Sequence, residues 1–101
     1  MIVISATLIA KEGKESELEN LLSSLVQEVK SESGVISYIL HRSNDNPRKF
    51  FFYEKYKDKK SVDFHMSTPY LKKAFDKYQD LLAQPSEVDF YNEVSSIHQI
   101  D

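Results

Sequence analysis

The spacing of apolar residues changes period several times along this chain, and each change marks a predicted element. Ile2 to Ala10 (IVISATLIA) is rich in β-branched residues and is broken by Lys11-Glu12-Gly13, the pattern of a buried strand. From Lys14 to about Ser31 the period lengthens. Leu18, Leu21, Leu22, Leu25, Val26 and Val29 recur at three- and four-residue steps, which places all of them on one helical face. Glu15, Glu17 and Glu19 near the start and Lys30 near the end suit the helix dipole, although no strong N-cap residue precedes them. Gly34 is placed to end the helix in a left-handed conformation. Val35 to Arg42 and Lys49 to Tyr56 read as two strands joined by the turn-forming Ser43-Asn44-Asp45-Asn46-Pro47, hence a hairpin. Asp58 predicts the cap of a short helix reaching Met66. Thr68-Pro69 gives a second start signal, a hydroxyl cap followed by proline, so the helical segment is interrupted and begun again. Leu71, Ala74, Phe75, Tyr78 and Leu82 form the next apolar stripe, which Gln84-Pro85-Ser86 ends. Glu87 to about Ile97 supplies the last strand, with Val88, Phe90 and Val94 on one side.

The order β-α-β-β-α-β predicts an α+β, ferredoxin-like split β-α-β fold: an antiparallel sheet with its helices on one face. The other face should then alternate to polar if water covers it. It does not, because Phe50, Phe51, Phe52 and Tyr53 are consecutive and point alternately to both sides, while Val3 and Ile9 oppose Ile2, Ile4 and Leu8. Each such aromatic buries on the order of 150 to 250 Å² when covered. The expectation is a homodimer in which two sheets meet face to face.

Composition narrows the classes of partner. A chain of 101 residues has room for a single domain, 1–101, and 41% apolar with 29% charged residues is the balance of a folded globular protein. The net charge of −3 and the presence of Arg42 and Arg48 as the only arginines argue against a nucleic-acid partner. With no cysteine there is no disulfide, thiolate nucleophile or sulfur-ligated metal. The start lacks a basic leader and no long apolar run occurs, so no membrane is expected and the cytoplasm is the expected location. GxGxxG, P-loop, GxSxG and HExxH motifs are absent, and the spacing of His41, His65 and His98 matches no metal signature. A small-molecule substrate is the expected partner, with no cofactor or metal expected.

Two residues stand out as candidate chemistry. His65 falls three positions after Val62 and just ahead of the Thr68-Pro69 break, which turns an imidazole toward the apolar side of a short helix; the same position also suits a hydrogen-bonded core histidine. Glu54 ends an aromatic strand run and is a candidate to orient His65 or to act as a base, or equally to pair with a lysine. Tyr38, Phe52, Tyr70, Phe75 and Tyr78, with Phe64 beside His65, are candidate walls for a flat ligand, although an aromatic stripe at this spacing also describes plain core. The lysine-rich stretch Lys55 to Lys60 and Lys72-Lys73 read as solvated faces.

Phe52-Tyr53-Glu54-Lys55-Tyr56-Lys57-Asp58, followed by Phe64-His65 and Ser67-Thr68-Pro69-Tyr70, resembles the antibiotic biosynthesis monooxygenase (ABM) family, as do Ser33-Gly34-Val35 and Tyr38. The resemblance covers nearly the whole chain. It implies a dimeric α+β barrel and, in the enzymatic members, cofactor-independent oxygenation of quinol-like or anthrone-like aromatics, with His65 at the family's histidine position and Glu54 at its strand glutamate. The haem-degrading members use a first-strand asparagine and a tryptophan; this chain has Ala6 on that strand and no tryptophan, and so departs from them. The stretch from Phe52 to Tyr70 is also similar to a member that isomerises the phosphorylated, carbohydrate-derived autoinducer-2 signal. Three readings follow. One is a monooxygenase in which His65, steadied by Glu54, deprotonates a phenolic substrate that then reacts with dioxygen. Another is an isomerase or tautomerase of a small hydroxy-carbonyl compound, with Lys55, Lys57 or Arg42 meeting a phosphate. The third is a dimeric ligand-binding module without chemistry.

Overall fold

The computed structural model describes residues 1–97. Its elements are β1 (Ile2–Ile9), α1 (Glu15–Val29), β2 (Val35–Arg42), β3 (Lys49–Tyr56), α2 (Lys59–Met66), α3 (Pro69–Leu81) and β4 (Glu87–Asn92). The strands form one antiparallel sheet in the order β2-β3-β1-β4, the α+β, ferredoxin-like arrangement. The predicted break between the second and third helices is present.

Register sorts every strand residue by face. Ile4 stands opposite Glu54 and Phe90, Ala6 opposite Phe52 and Val88, and Tyr38 opposite Glu54, so these side chains share the side on which the helices lie. Leu18, Leu22 and Leu25 of α1 and Leu71, Ala74 and Leu81 of α3 close over Ala6, Leu8, Phe50 and Phe52 to make the main core. A smaller cluster of Ile4, Tyr56 and Val62 ties α2 to the sheet. The opposite face carries Val3, Ile9, Ile39, Phe51, Tyr53 and Tyr91, residues half-buried or exposed in the single chain.

Several local expectations are corrected. Gly34 is not left-handed; among the described residues only Gly13, in the turn after β1, has a positive φ (84°). The α1 helix ends instead by turns in which the Ser31 and Glu32 amides donate to the Glu28 and Val29 carbonyls. Gly34 serves close approach, since a Cβ there would sit 2.4 Å from Ser61 Cβ and 2.0 Å from its Oγ. Asp58 does cap α2, accepting from the Ser61 amide at 2.9 Å. Thr68 does not cap α3; its hydroxyl donates backward to the His65 carbonyl at 2.8 Å, and Pro69 alone supplies the start signal. The last strand stops at Asn92, which leaves Val94 outside it at 95% exposure. His98 lies outside the described residues.

Candidate active site

His65 is 2% exposed, although it sits in the last turn of a short helix. Ionisable rings are seldom buried this deeply unless paired, and the partner is Glu32. Nδ1 of His65 lies 3.0 and 3.2 Å from the two Glu32 carboxylate oxygens, and both side chains are nearly inaccessible. The Tyr70 hydroxyl donates to the same carboxylate. Three segments thus converge on one buried acid: the turn after α1, the end of α2 and the start of α3.

Gly34 explains how that turn comes so close. Without a side chain at Gly34, the backbone packs directly on Ser61, and Ser61 and His65 lie one helical turn apart on the same face of α2. Glu32, two residues before the glycine, is thereby brought to His65. The Lys57 amide donating to the Gly34 carbonyl at 2.9 Å fastens the loop from its other side.

His65 also lines an apolar cavity together with Glu54, Tyr38, Phe52, Phe75 and Tyr78, closed by Ile4, Ala6 and Leu8 from the sheet. The Tyr38 ring packs against His65 at 5.3 Å, near-perpendicular, and that of Tyr56 at 5.4 Å. Glu54 does not touch His65 by hydrogen bond, contrary to the expectation that it orients the ring. Its carboxyl accepts from the Tyr56 hydroxyl at 2.6 Å, and burial, reinforced by the Glu32 charge and opposed by that hydrogen bond, pushes its pKa up to about 7. Burial and the neighbouring carboxylates also hold the Tyr38 and Tyr56 hydroxyls well above the usual phenol range, so both remain donors. Burial and the hydrogen bond to Glu32 push Tyr70 up to about 12.

The enclosed volume is about 50 Å³. A water occupies roughly 10–15 Å³ on this measure, whereas ligand sites commonly run to about 300 Å³ or more, so a ring-sized substrate must displace part of the wall. The exposed part of that wall is the mouth, where Met66, Phe75, Val88 and Phe90 line the cavity yet are 43%, 43%, 46% and 59% exposed. Beyond Met66 and Phe90 lies an open groove of about 440 Å³ between α2 and the end of β4.

The remaining predicted site residues fall elsewhere. Phe64 is largely exposed and outside the cavity. Tyr70 supports Glu32 rather than lining the hollow. Lys55 projects from the opposite face of the sheet and pairs with Glu93 at 2.6 Å, Arg42 pairs with Glu19 at 2.8 Å near the hairpin end, and Lys57 flanks Gly34 outside the cavity, so none of the three reaches a phosphate beside His65. His41 meets the Phe51 carbonyl at 3.2 Å, remote from His65. Among the described residues no three His, Asp or Glu side chains are grouped to hold a metal ion, and no helix is long and apolar enough to cross a membrane. Glu32 carries no sequence signal, since it lies past the end of the apolar helical repeat, whereas Tyr56 enters only through the family resemblance, as the aromatic two residues after Glu54.

A buried histidine–carboxylate pair facing an aromatic hollow on a split β-α-β fold can be compared directly with known proteins. The profile of the family described as antibiotic biosynthesis monooxygenase matches residues 1–77. This chain belongs to that family. Among similar proteins, sll1783 of Synechocystis is 31% identical over 90 residues, 89% of this chain, and the match spans 61% of that longer protein. YcnE of Bacillus subtilis, named as a candidate monooxygenase, is 32% identical over 88 residues, covering 87% of this chain and 93% of its own. Of solved structures, SO0527 from Shewanella oneidensis superposes with a TM-score of 0.85 at 33% identity, covering 89% of this chain and 87% of that one. An ABM-type structure from Deinococcus radiodurans, at 20% identity, covers both chains fully with a TM-score of 0.89 and shares the fold.

Proposed function

We propose that this ABM protein is a cofactor-independent monooxygenase of a small quinol-like aromatic, with His65 as the general base. The observation that carries the reading is the engagement of Nδ1 by Glu32, which leaves Nε2 as the nitrogen for the aromatic cavity. A phenol entering past Met66 and Phe90 loses its proton to Nε2, and the resulting phenolate is electron-rich enough to reduce dioxygen directly. The stoichiometry closes without an external reductant: quinol plus dioxygen gives hydroxyquinone plus water. The ring gives up four electrons, one oxygen atom forms the new C–O bond, and the other leaves as water with two protons. The apolar walls exclude bulk water from the anion and from the peroxide formed on the ring, and Tyr38 can donate to a developing oxyanion.

The experiment is dioxygen consumption with a set of quinols, corrected for spontaneous oxidation. The expected result is uptake in a one-to-one ratio with quinol, falling by on the order of 10²-fold or more in His65→Gln. No uptake above the spontaneous rate with any quinol overturns the reading. One observation favours a second reading: Glu54, titrating near neutrality, shares the cavity with His65, and two acid–base groups suit proton transfer between adjacent carbons of a hydroxy-carbonyl compound. Turnover that persists unchanged under strict anoxia would select that isomerase over the oxygenase.

A further inference from the structure

We propose that Glu32 is the positioning residue of the site, fixing the tautomer of His65 so that the lone pair of Nε2 faces the cavity. The inference rests on His65 acting as the base, and it adds what makes that base competent. An ionised carboxylate has only acceptor sites, so a neutral imidazole bonded to it through Nδ1 must carry its proton there. Without such a partner the ring is free to protonate Nε2 and present an N–H to the substrate, which cannot accept a proton. Both Glu32 oxygens lie within hydrogen-bond distance of Nδ1, which disfavours the alternative tautomer twice over. The Tyr70 hydroxyl donates to the same group and holds it from the α3 side, and the Gly34–Ser61 packing holds the backbone that carries it. The charge of Glu32 also stabilises the imidazolium formed once the substrate proton has moved, because a pair 3.0 Å apart and shielded from water interacts strongly.

This role is distinct from packing and can be read without substrate. In ¹⁵N-labelled protein, multiple-bond correlation spectra recorded at alkaline pH distinguish Nδ1–H from Nε2–H, with His65 assigned by its loss in His65→Gln. The wild type is expected to hold the Nδ1–H form. Glu32→Gln replaces one acceptor by an amide donor and is expected to shift the ring substantially toward Nε2–H, whereas Tyr70→Phe, which keeps the carboxylate, retains Nδ1–H. With substrate, Glu32→Gln is expected to lower kcat by on the order of 10²-fold or more with little change in KM. An Nε2–H ring in the wild type overturns the proposal, as does an unaltered tautomer in Glu32→Gln. Should Glu32→Gln fail to fold, the wild-type and Tyr70→Phe spectra still decide, since Nε2–H in the wild type overturns the proposal and Nδ1–H in both proteins upholds it. Failure of the oxygenase reading is separately visible as absent dioxygen uptake with the tautomer intact.

Discussion

A carboxyl group at 5% exposure on the helix-facing side of β3 has few ways to keep its charge. Among the described residues Glu54 has a single hydrogen-bond donor, Tyr56, and a second buried carboxylate, Glu32, lies in its field, so burial dominates and raises its pKa from 4.5 to about 7. The sign of the consequence follows from proton counts. Between about pH 4.5 and 7 the folded chain keeps a proton on Glu54 that the unfolded chain has released, so this group lowers stability as pH rises through that window, by at most about 3 kcal/mol once pH 7 is passed. Glu54→Gln keeps an oxygen for Tyr56 and cannot ionise. Urea unfolding at pH 5 and pH 8 should show the variant gaining on the wild type at pH 8 and little different at pH 5; equal gains at both would mean that Glu54 is not titrating in the folded state. His65 and Glu54 were legible in sequence because each interrupts an apolar pattern. Glu32 was not, since its partner is 33 positions away and the contact depends on a loop whose close approach to α2 requires a residue without Cβ at position 34.

That loop makes the packing of elements testable. An alanine at Gly34 would drive its Cβ into Ser61 Cβ at 2.4 Å, a clash that no rotation of the serine relieves, because Cβ is fixed to the backbone. Gly34→Ala should therefore cost about 1–3 kcal/mol as an overpacked site. It should also lengthen the Glu32–His65 contact one turn along α2. Ser61→Gly removes the obstructing atoms at a helix-propensity cost of about 1 kcal/mol, so most of the Gly34→Ala penalty should vanish in that background. Additive penalties in denaturant melts would show that the close approach is not what Gly34 provides. At the start of the same helix, Asp58→Ala should lower the denaturant midpoint through loss of the bond to the Ser61 amide. Element order and type were readable from periodicity alone: leucines at three- and four-residue steps for α1, β-branched and aromatic runs for β1 and β3, and the Thr68-Pro69 break. Ends were less so, because they depend on tertiary partners. The Thr68 hydroxyl finds the His65 carbonyl before it can cap α3, and β4 ends at Asn92 although apolar residues continue beyond it.

The sheet as a whole carries the last consequence. All its helices lie on one side, yet Val3, Ile9, Phe51 and Tyr53 lie on the two central strands of the other side, with Ile39 and Tyr91 on the edge strands. A face of this kind meets water only at a cost of about 25 cal/mol per Å² of apolar surface. A second copy related by a two-fold axis would bury it, and a stable interface of ordinary size needs only about 800 Å² from each partner. We therefore expect a homodimer, with light scattering at micromolar concentration giving about twice the chain mass of 11.7 kDa. Phe51 stands at the middle of the face, opposite Thr7 on β1 and His41 on β2, so Phe51→Glu would bury two like charges near the dyad. The expected product is a monomer with unchanged far-ultraviolet circular dichroism, because residue 51 points away from the helix-covered core. A wild type already monomeric at that concentration would refute the interface, and a Phe51→Glu protein that stays dimeric would place it elsewhere. The His65 cavity lies across the sheet from this face, so the monomeric variant should retain the Nδ1–H imidazole, which separates loss of assembly from loss of the site.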